Sequence, residues 1–278
     1  MSSVAVQQTD TEKIHGQTRG ERRRRAVEPA RIPTSRVIGV ELQKMFDTRS
    51  GFWLMASILI ANVLATGAVI LWAPDDQLTY DTFAAAIGFP MAVILPMIAI
   101  LSVTGEWSQR SGVTTFTLVP HRGRVIFAKA VGAVSIGVVS MLVAFGVGAL
   151  GNLLGTAITG TGLVWDVSFA EFAYIILANV LGMMVGFMLG VLIRNSAGAI
   201  VSYFVYSLVL PTIFGLLAGA QSWFKDLQPW VDFNFAQGQL FNGSMTGEQW
   251  AHLGVASAIW LVLPLVVGLT MVMRSEVK

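Results

Sequence analysis

Residues 172–193 read FAYIILANVLGMMVGFMLGVLI and contain no Asp, Glu, Lys or Arg. An α-helix needs about 20 residues to cross the roughly 30 Å hydrocarbon core of a bilayer, so this stretch predicts a membrane-spanning helix. Five more uncharged stretches reach that length, at 51–73, 83–104, 130–151, 197–218 and 251–273. None of the six alternates polar and apolar residues with period two, which disfavours a membrane β-barrel.

The composition of the whole chain agrees with a lipid environment. Of its 278 residues, 54% are hydrophobic and 12% are charged, whereas a soluble domain carries roughly 25% charged residues. That fraction leaves too little polar surface to cover a water-soluble globule. The sequence therefore predicts an all-α membrane protein with six transmembrane helices.

The basic residues predict the orientation of these helices. With six spans, seventeen of the eighteen Lys and Arg residues fall on one side of the membrane, and Lys225 alone falls on the other. Cytoplasmic loops carry such an excess of Lys and Arg. We expect both termini in the cytoplasm and the protein in the inner (plasma) membrane.

Residues 1–33 are polar and include Arg22–Arg25, which predicts a disordered basic cytoplasmic tail. We interpret the arginine run as an anchor to anionic lipid, with a nucleic-acid or targeting signal as the alternative. In residues 34–49 the apolar side chains share one helical face. This spacing predicts an amphipathic helix on the cytoplasmic membrane surface, or else an extension of the first span.

The permease domain then comprises residues 34–278, and it includes an outer segment at 219–250 in which aromatic residues alternate with charged ones. Aromatic residues with scattered charge are typical of the membrane interface, so we expect short half-inserted helices there. Inside the spans, small residues every four positions predict close helix packing at Gly182, Gly186 and Gly190. Four prolines in three of the spans predict kinks: Pro90 and Pro96 in the second, Pro211 in the fifth and Pro264 in the sixth.

The sequence lacks the residues that several kinds of chemistry require. None of the five lysines follows a glycine, so the chain has no nucleotide-binding P-loop. Ion-coupled carriers usually bury an ionisable group within a span, and the six stretches hold only His252. Without cysteine or paired histidines we expect no metal site. We therefore expect no enzymatic activity in this chain and no cofactor bound to it.

Three features carry a resemblance to a known family. The first is RVIGVELQKM at 36–45, followed by TRS at 48–50. The second is the connection between the second and third spans, with TGEW at 104–107, GVTTF at 112–116, PHRGR at 120–124 and AK at 128–129. The third is the long segment between the last two spans. Together they resemble the permeases of the ABC type-2 exporter family, over residues 34–278.

The resemblance implies roles for particular residues. Such permeases dock on a separate ATP-binding-cassette ATPase, which holds ATP and Mg, through a cytoplasmic coupling helix between spans two and three. The matching positions here are Glu106, Arg110, Thr114, Thr115, Phe116, Thr117 and Leu118. The permeases also pair as homodimers or heterodimers, with spans two and five of each subunit facing a cavity. The candidates for lining it are Phe89, Met97, Tyr203, Tyr206 and Phe214, with lipid-facing packing as the alternative for each.

The predicted function is thus that of the transmembrane subunit of an ATP-driven exporter for a hydrophobic or amphipathic substrate such as a drug, peptide or lipid. Membrane lipid is an expected partner and nucleic acid is not. Two alternatives share this topology: a secondary carrier or channel, and a non-transporting membrane scaffold. An associated ATPase that responds to cargo would distinguish the exporter from both.

Overall fold

The structure is a computed structural model that describes residues 33–47, 49–108 and 122–274. Within these ranges the chain forms helices, turns and no β-strand. The packing described below lies within Val37–Lys278. A first helix, α1, covers Thr34–Asp47, where an amphipathic helix is predicted. The basic tail lies outside the described residues.

Six helices in the described ranges are long and apolar enough to cross a membrane, which confirms the predicted fold class. Two of them extend past both ends of the predicted spans by three or more residues, because helices continue into the interfacial region past the apolar core. We number the helices in chain order, and the spanning set comprises α2 (Arg49–Trp72), α3 (Tyr80–Ser108), α4 (Arg122–Thr159), α5 (Phe169–Ile193), α6 (Ser196–Ala220) and α9 (Gly247–Arg274).

The largest difference from the predicted boundaries concerns α4. The sequence places residues up to Lys129 in a loop, whereas α4 is already helical from Arg122 and runs for 38 residues. At 1.5 Å per residue it is roughly 57 Å long and exceeds the hydrocarbon thickness. Lys129 therefore lies on a rigid helix, and this matters for the site described below.

The glycine spacing in α5 produces the predicted close packing. A Cβ added at Gly186 would lie 2.8 Å from the carbonyl oxygen of Pro96 in α3, and one at Gly190 would lie 3.3 Å from the carbonyl oxygen of Ile100. The third glycine of the series, Gly182, faces the amide of Gln237 instead. The missing side chains let α5 pack against the backbone of α3, as small residues do between membrane helices.

Two of the predicted proline distortions take the form of π-helical turns. Val205–Val209 in α6 precedes Pro211, and Ala258–Val262 in α9 precedes Pro264. A proline has no N–H to donate and its ring collides with the carbonyl four residues before it. A wider turn just upstream relieves that collision while the helix continues.

The aromatic segment between α6 and α9 folds back onto the bundle. It contains α7 (Ser222–Val231) and α8 (Phe233–Gly238), followed by a short 3-10 turn. Gln237 donates a hydrogen bond to the carbonyl oxygen of Ala178 in α5 at 2.6 Å, and the Trp260 indole in α9 donates one to the carbonyl oxygen of Val231 at 2.7 Å. Short helices are therefore present in this segment, and their half-insertion into the membrane stays a prediction.

Candidate functional site

Because the spans alternate in direction, their connections lie at two ends. We call one end the basic face: it has α1, the connection between α3 and α4, and the end of α9. The opposite end, with α7 and α8, is the far face. Residues 109–121 lie outside the described ranges, and they connect the last turn of α3 to the first turn of α4.

A buried ion pair joins α1 to α4 at the basic face. Glu41 lies one helical turn from both Val37 and Met45, so it occupies the centre of the buried side of α1 and is 2% exposed. Its carboxylate accepts a hydrogen bond from the Lys129 ammonium at 2.5 Å, and Lys129 is itself 5% exposed. A charged pair at this depth requires close geometry and further hydrogen bonds to offset its desolvation.

Both partners of this pair have such additional bonds. Lys129 also donates to the carbonyl oxygen of Ser102 in α3 at 3.1 Å, and Lys44 donates to the second oxygen of Glu41 at 2.6 Å. Burial of the Glu41 carboxyl acts to raise its pKa, but the charge of Lys129 and the hydrogen bonds from Lys129 and Lys44 outweigh it and hold the pKa below its ordinary value. Glu41 is therefore an anion at neutral pH.

A second polar contact on the same face joins α3 to α6. The hydroxyl of Thr104, which is fully buried, donates to the carbonyl oxygen of Ile100 at 2.9 Å and shares a 2.8 Å hydrogen bond with the hydroxyl of Ser196. Ser196 is the first residue of α6. We call Glu41, Ser102, Thr104, Lys129 and Ser196 the base cluster. It ties four helices together beside both ends of the 109–121 connection.

The predicted coupling residues lie next to this cluster or beyond the described part of the chain. The backbone of Glu106 belongs to the last turns of α3, only two residues past Thr104. Arg110 and 114–118 lie outside the described residues, as does the side chain of Glu106. Their docking role stays a prediction.

Of the cavity candidates, Tyr203 has a defined structural partner. It is 5% exposed, and its hydroxyl donates to the carbonyl oxygen of Ala92 in α3 at 2.9 Å. Ala92 precedes Pro96 by four residues, so its carbonyl lacks the usual helical N–H donor. The Tyr203 hydroxyl from α6 satisfies that carbonyl. This contact joins the two helices that the resemblance assigns to the cavity.

Two of the other four candidates, Met97 and Tyr206, pack against the same buried cluster as Tyr203, and the other two do not belong to it. Tyr206, in the π-helical turn of α6, packs against Phe233 and Trp260 with ring centroids 6.5 and 5.7 Å apart. Met97 packs beside the buried cluster around Tyr203. Phe89 is 77% exposed on the surface of α3. Phe214 packs against Phe224 of α7, with ring centroids 5.5 Å apart. Their role as cavity lining stays a prediction.

Within the described ranges, no group of three His or acidic side chains is placed to hold a metal ion. The polar groups of the base cluster are engaged with each other and with the backbone. Their arrangement suits mechanical connection of helices rather than binding of a small ligand or bond chemistry.

Six apolar helices, with buried polar contacts at one end of the bundle, define an integral membrane protein of the polytopic α-helical class. The chain belongs to the ABC-2 family of transporter proteins, whose sequence profile matches residues 3–277. It is accordingly the transmembrane part of an ABC transporter and not the ATPase. The family implies that an ATPase is the partner of this chain. No curated protein matches the chain at a significant level.

Proposed function

We propose that this chain is the permease subunit of an exporter that moves a hydrophobic or amphipathic substrate out of the cytoplasm. A separate ATPase subunit, which holds ATP and Mg, docks on the 106–118 region of the basic face. ATP-driven closure of the ATPase pair pulls on this region, and α3 and α6 respond by opening a path through the membrane. The permease lies in the plasma membrane with its basic face toward the cytoplasm.

The base cluster is the observation that carries this proposal. Movement of the 109–121 connection acts directly on the end of α3 and the start of α4. Lys129 passes it to Glu41 of α1, and Thr104 passes it to Ser196 at the start of α6. Packed elements with fixed hydrogen bonds move together as rigid bodies. The helices assigned to the cavity are thus joined to the region assigned to the ATPase.

The second permease subunit belongs to the proposal because one chain leaves most of the α6 surface uncovered. Of the six spanning helices, α6 has the smallest buried share. Its apolar side chains at Val201, Leu208 and Leu216 are exposed. Lipid can cover such a surface, so we distinguish a second copy by crosslinking. The chain has no cysteine, and a single Leu208→Cys variant should form a disulfide dimer in membranes. Leu59→Cys on α2 is the matched control, and equal crosslinking of both would contradict a dimer through α6.

Glu106→Ala tests the docking role in the complete permease–ATPase complex in liposomes. We expect the permease-dependent part of ATP hydrolysis, and efflux of a fluorescent lipophilic dye, to fall about tenfold with the complex still assembled. Asp76→Ala at the far face removes an exposed carboxylate at the other end of the molecule and should leave both activities unchanged. Normal activity in Glu106→Ala would argue against the docking role, and ATP hydrolysis by the isolated chain would refute the proposed division of labour.

The proposed orientation has its own test in whole cells. We expect a membrane-impermeant maleimide to label Lys225→Cys from outside and Arg122→Cys only after the cells are opened. The absence of native cysteine makes each label specific. Labelling of both positions from the same side would contradict the six-span topology with a cytoplasmic basic face.

A further inference from the structure

A cleft of about 880 Å³ opens on the far face. Its floor is the end of α6 at 218–220, where small residues leave room, and its walls come from α7, α8 and the start of α9. Ligand pockets in proteins have volumes of roughly 300–1,000 Å³. The cleft is therefore large enough for a polar headgroup with part of its attached chain.

The cleft carries charges of both signs. Lys225 and Asp226 of α7 and Glu248 of α9 line it, and all three are exposed. Neither Lys225 nor Asp226 has an ion-pair partner within the described ranges, and Glu248 approaches the His252 Nε2 atom at 3.7 Å. Two carboxylates and one ammonium group leave an excess of negative charge. A ligand that matches them must present a cation and also an anion.

Aromatic side chains stand beside the carboxylates. Trp230 and Phe235 line the cleft with part of their rings exposed. The His252 ring packs edge-on against Trp230 with centroids 4.3 Å apart, which fixes the indole in place. An aromatic face next to carboxylates favours an ammonium group through cation–π attraction. Lys225 supplies the donor that a phosphate accepts.

The surroundings of the cleft identify the source of such a ligand. Leu216 of α6 and Trp223 of α7 lie within two residues of positions that line the cleft, and both are exposed, so apolar side chains lie near its rim. Trp at this position is typical of the headgroup level of a bilayer. A molecule with a zwitterionic headgroup and apolar chains fits the cleft and the rim together.

We propose that this cleft binds the zwitterionic headgroup of a phospholipid, with its ammonium group against Glu248 and Trp230 and its phosphate on Lys225. The bound lipid holds α7 and the start of α9 together at the far face. This is a binding site on the permease itself, separate from the base cluster and from the transported substrate.

The experiment uses the full chain with a single Ser222→Cys substitution, labelled with an environment-sensitive fluorophore at the edge of the cleft. The labelled protein in detergent is titrated with phosphatidylethanolamine, phosphatidylglycerol or dodecyltrimethylammonium. We expect phosphatidylethanolamine to bind about two- to fivefold more tightly than phosphatidylglycerol, because exposed charge contacts contribute roughly two- to fivefold each.

Two variants of the labelled chain complete the test. Lys225→Met combined with Glu248→Gln should weaken phosphatidylethanolamine binding about tenfold, and Asp76→Asn, an exposed far-face position outside the cleft, should not change it. Equal binding of the two phospholipids, or no effect of the double variant, would overturn the proposal. Binding of dodecyltrimethylammonium without phosphatidylethanolamine would overturn it in favour of a simple cation site. No ATPase takes part, so the outcome is independent of the proposed export function.

Discussion

Removal of one charge from the Glu41–Lys129 pair should destabilise the protein more than removal of both. Breaking a buried ion pair by removing one partner costs about 3–5 kcal/mol, whereas replacing both partners with apolar residues is often neutral. In Glu41→Gln the Lys129 ammonium remains buried without its carboxylate, and the new amide oxygen still accepts a hydrogen bond. We therefore expect a loss of about 3 kcal/mol, near the lower limit of that range.

The other variants follow from the same contacts. Lys129→Met leaves Glu41 with Lys44, and we expect a smaller loss of about 1–3 kcal/mol. The double variant Glu41→Leu/Lys129→Met buries no charge and should lie within about 1 kcal/mol of the wild type. Lys44→Met is the matched control, because the Lys44 side chain is 45% exposed and exposed pairs contribute about 0–1 kcal/mol.

Thermal unfolding of the purified chain in detergent, followed by size-exclusion chromatography, measures these differences. About 2–4 °C of melting temperature corresponds to each kcal/mol for a domain of roughly this size. Glu41→Gln should thus melt about 6–12 °C lower, with the double variant close to wild type. If Glu41→Gln and Lys44→Met melt together, or the double variant is the least stable of all, the pair does not join α1 to α4 as described.

Three further predictions use the same assay. The folded protein lowers the Glu41 pKa from its ordinary value of 4.5. The stability that the ion pair contributes is therefore complete above about pH 4.5, and it is lost as the pH falls through the lowered pKa. The difference in melting temperature between wild type and Glu41→Gln should close only in that acidic range. Gly186→Ala places a methyl group against the α3 backbone and should cost about 1–3 kcal/mol, while Gly146→Ala, which meets nothing within 4 Å, should be neutral; equal effects would contradict the close approach. Tyr203→Phe leaves the buried carbonyl of Ala92 without a hydrogen bond and should cost about 1–3 kcal/mol of stability. Tyr174→Phe is the control, because the Tyr174 hydroxyl has no hydrogen bond in the described ranges. Equal losses in the two variants would show that the Tyr203 bond is not formed.

The sequence predicts the six spans because charge-free length is a local property of the chain. Each uncharged stretch of about 20 residues has one stable solution in lipid, an α-helix with its backbone hydrogen bonds satisfied internally. The glycine series in α5 is equally readable, since a four-residue repeat places Gly186 and Gly190 on one face. Helix ends are less predictable, and α4 extends well past both ends of its uncharged stretch.

The base cluster was not predicted because its contacts connect residues far apart in sequence. Glu41 and Lys129 are 88 positions apart, and each looks like an ordinary surface charge when taken alone. The sequence does hold one signal: Glu41 lies about one turn from both Val37 and Met45, on the apolar side of α1. A charge at the centre of an apolar face requires a buried partner, and Lys129 was the nearest cation to the third span.

The bond from Tyr203 to Ala92 restricts how the two helices can move. A hydroxyl on a short, stiff aromatic side chain reaches one carbonyl and not the next along the helix. Sliding α6 by a turn would leave the proline-disrupted backbone of α3 without a donor in an apolar setting. Tilting α6 about this contact retains the donor, so the contact acts as a pivot between the two ends of the bundle. When the basic-face end of α6 moves in one direction, its far-face end moves in the other.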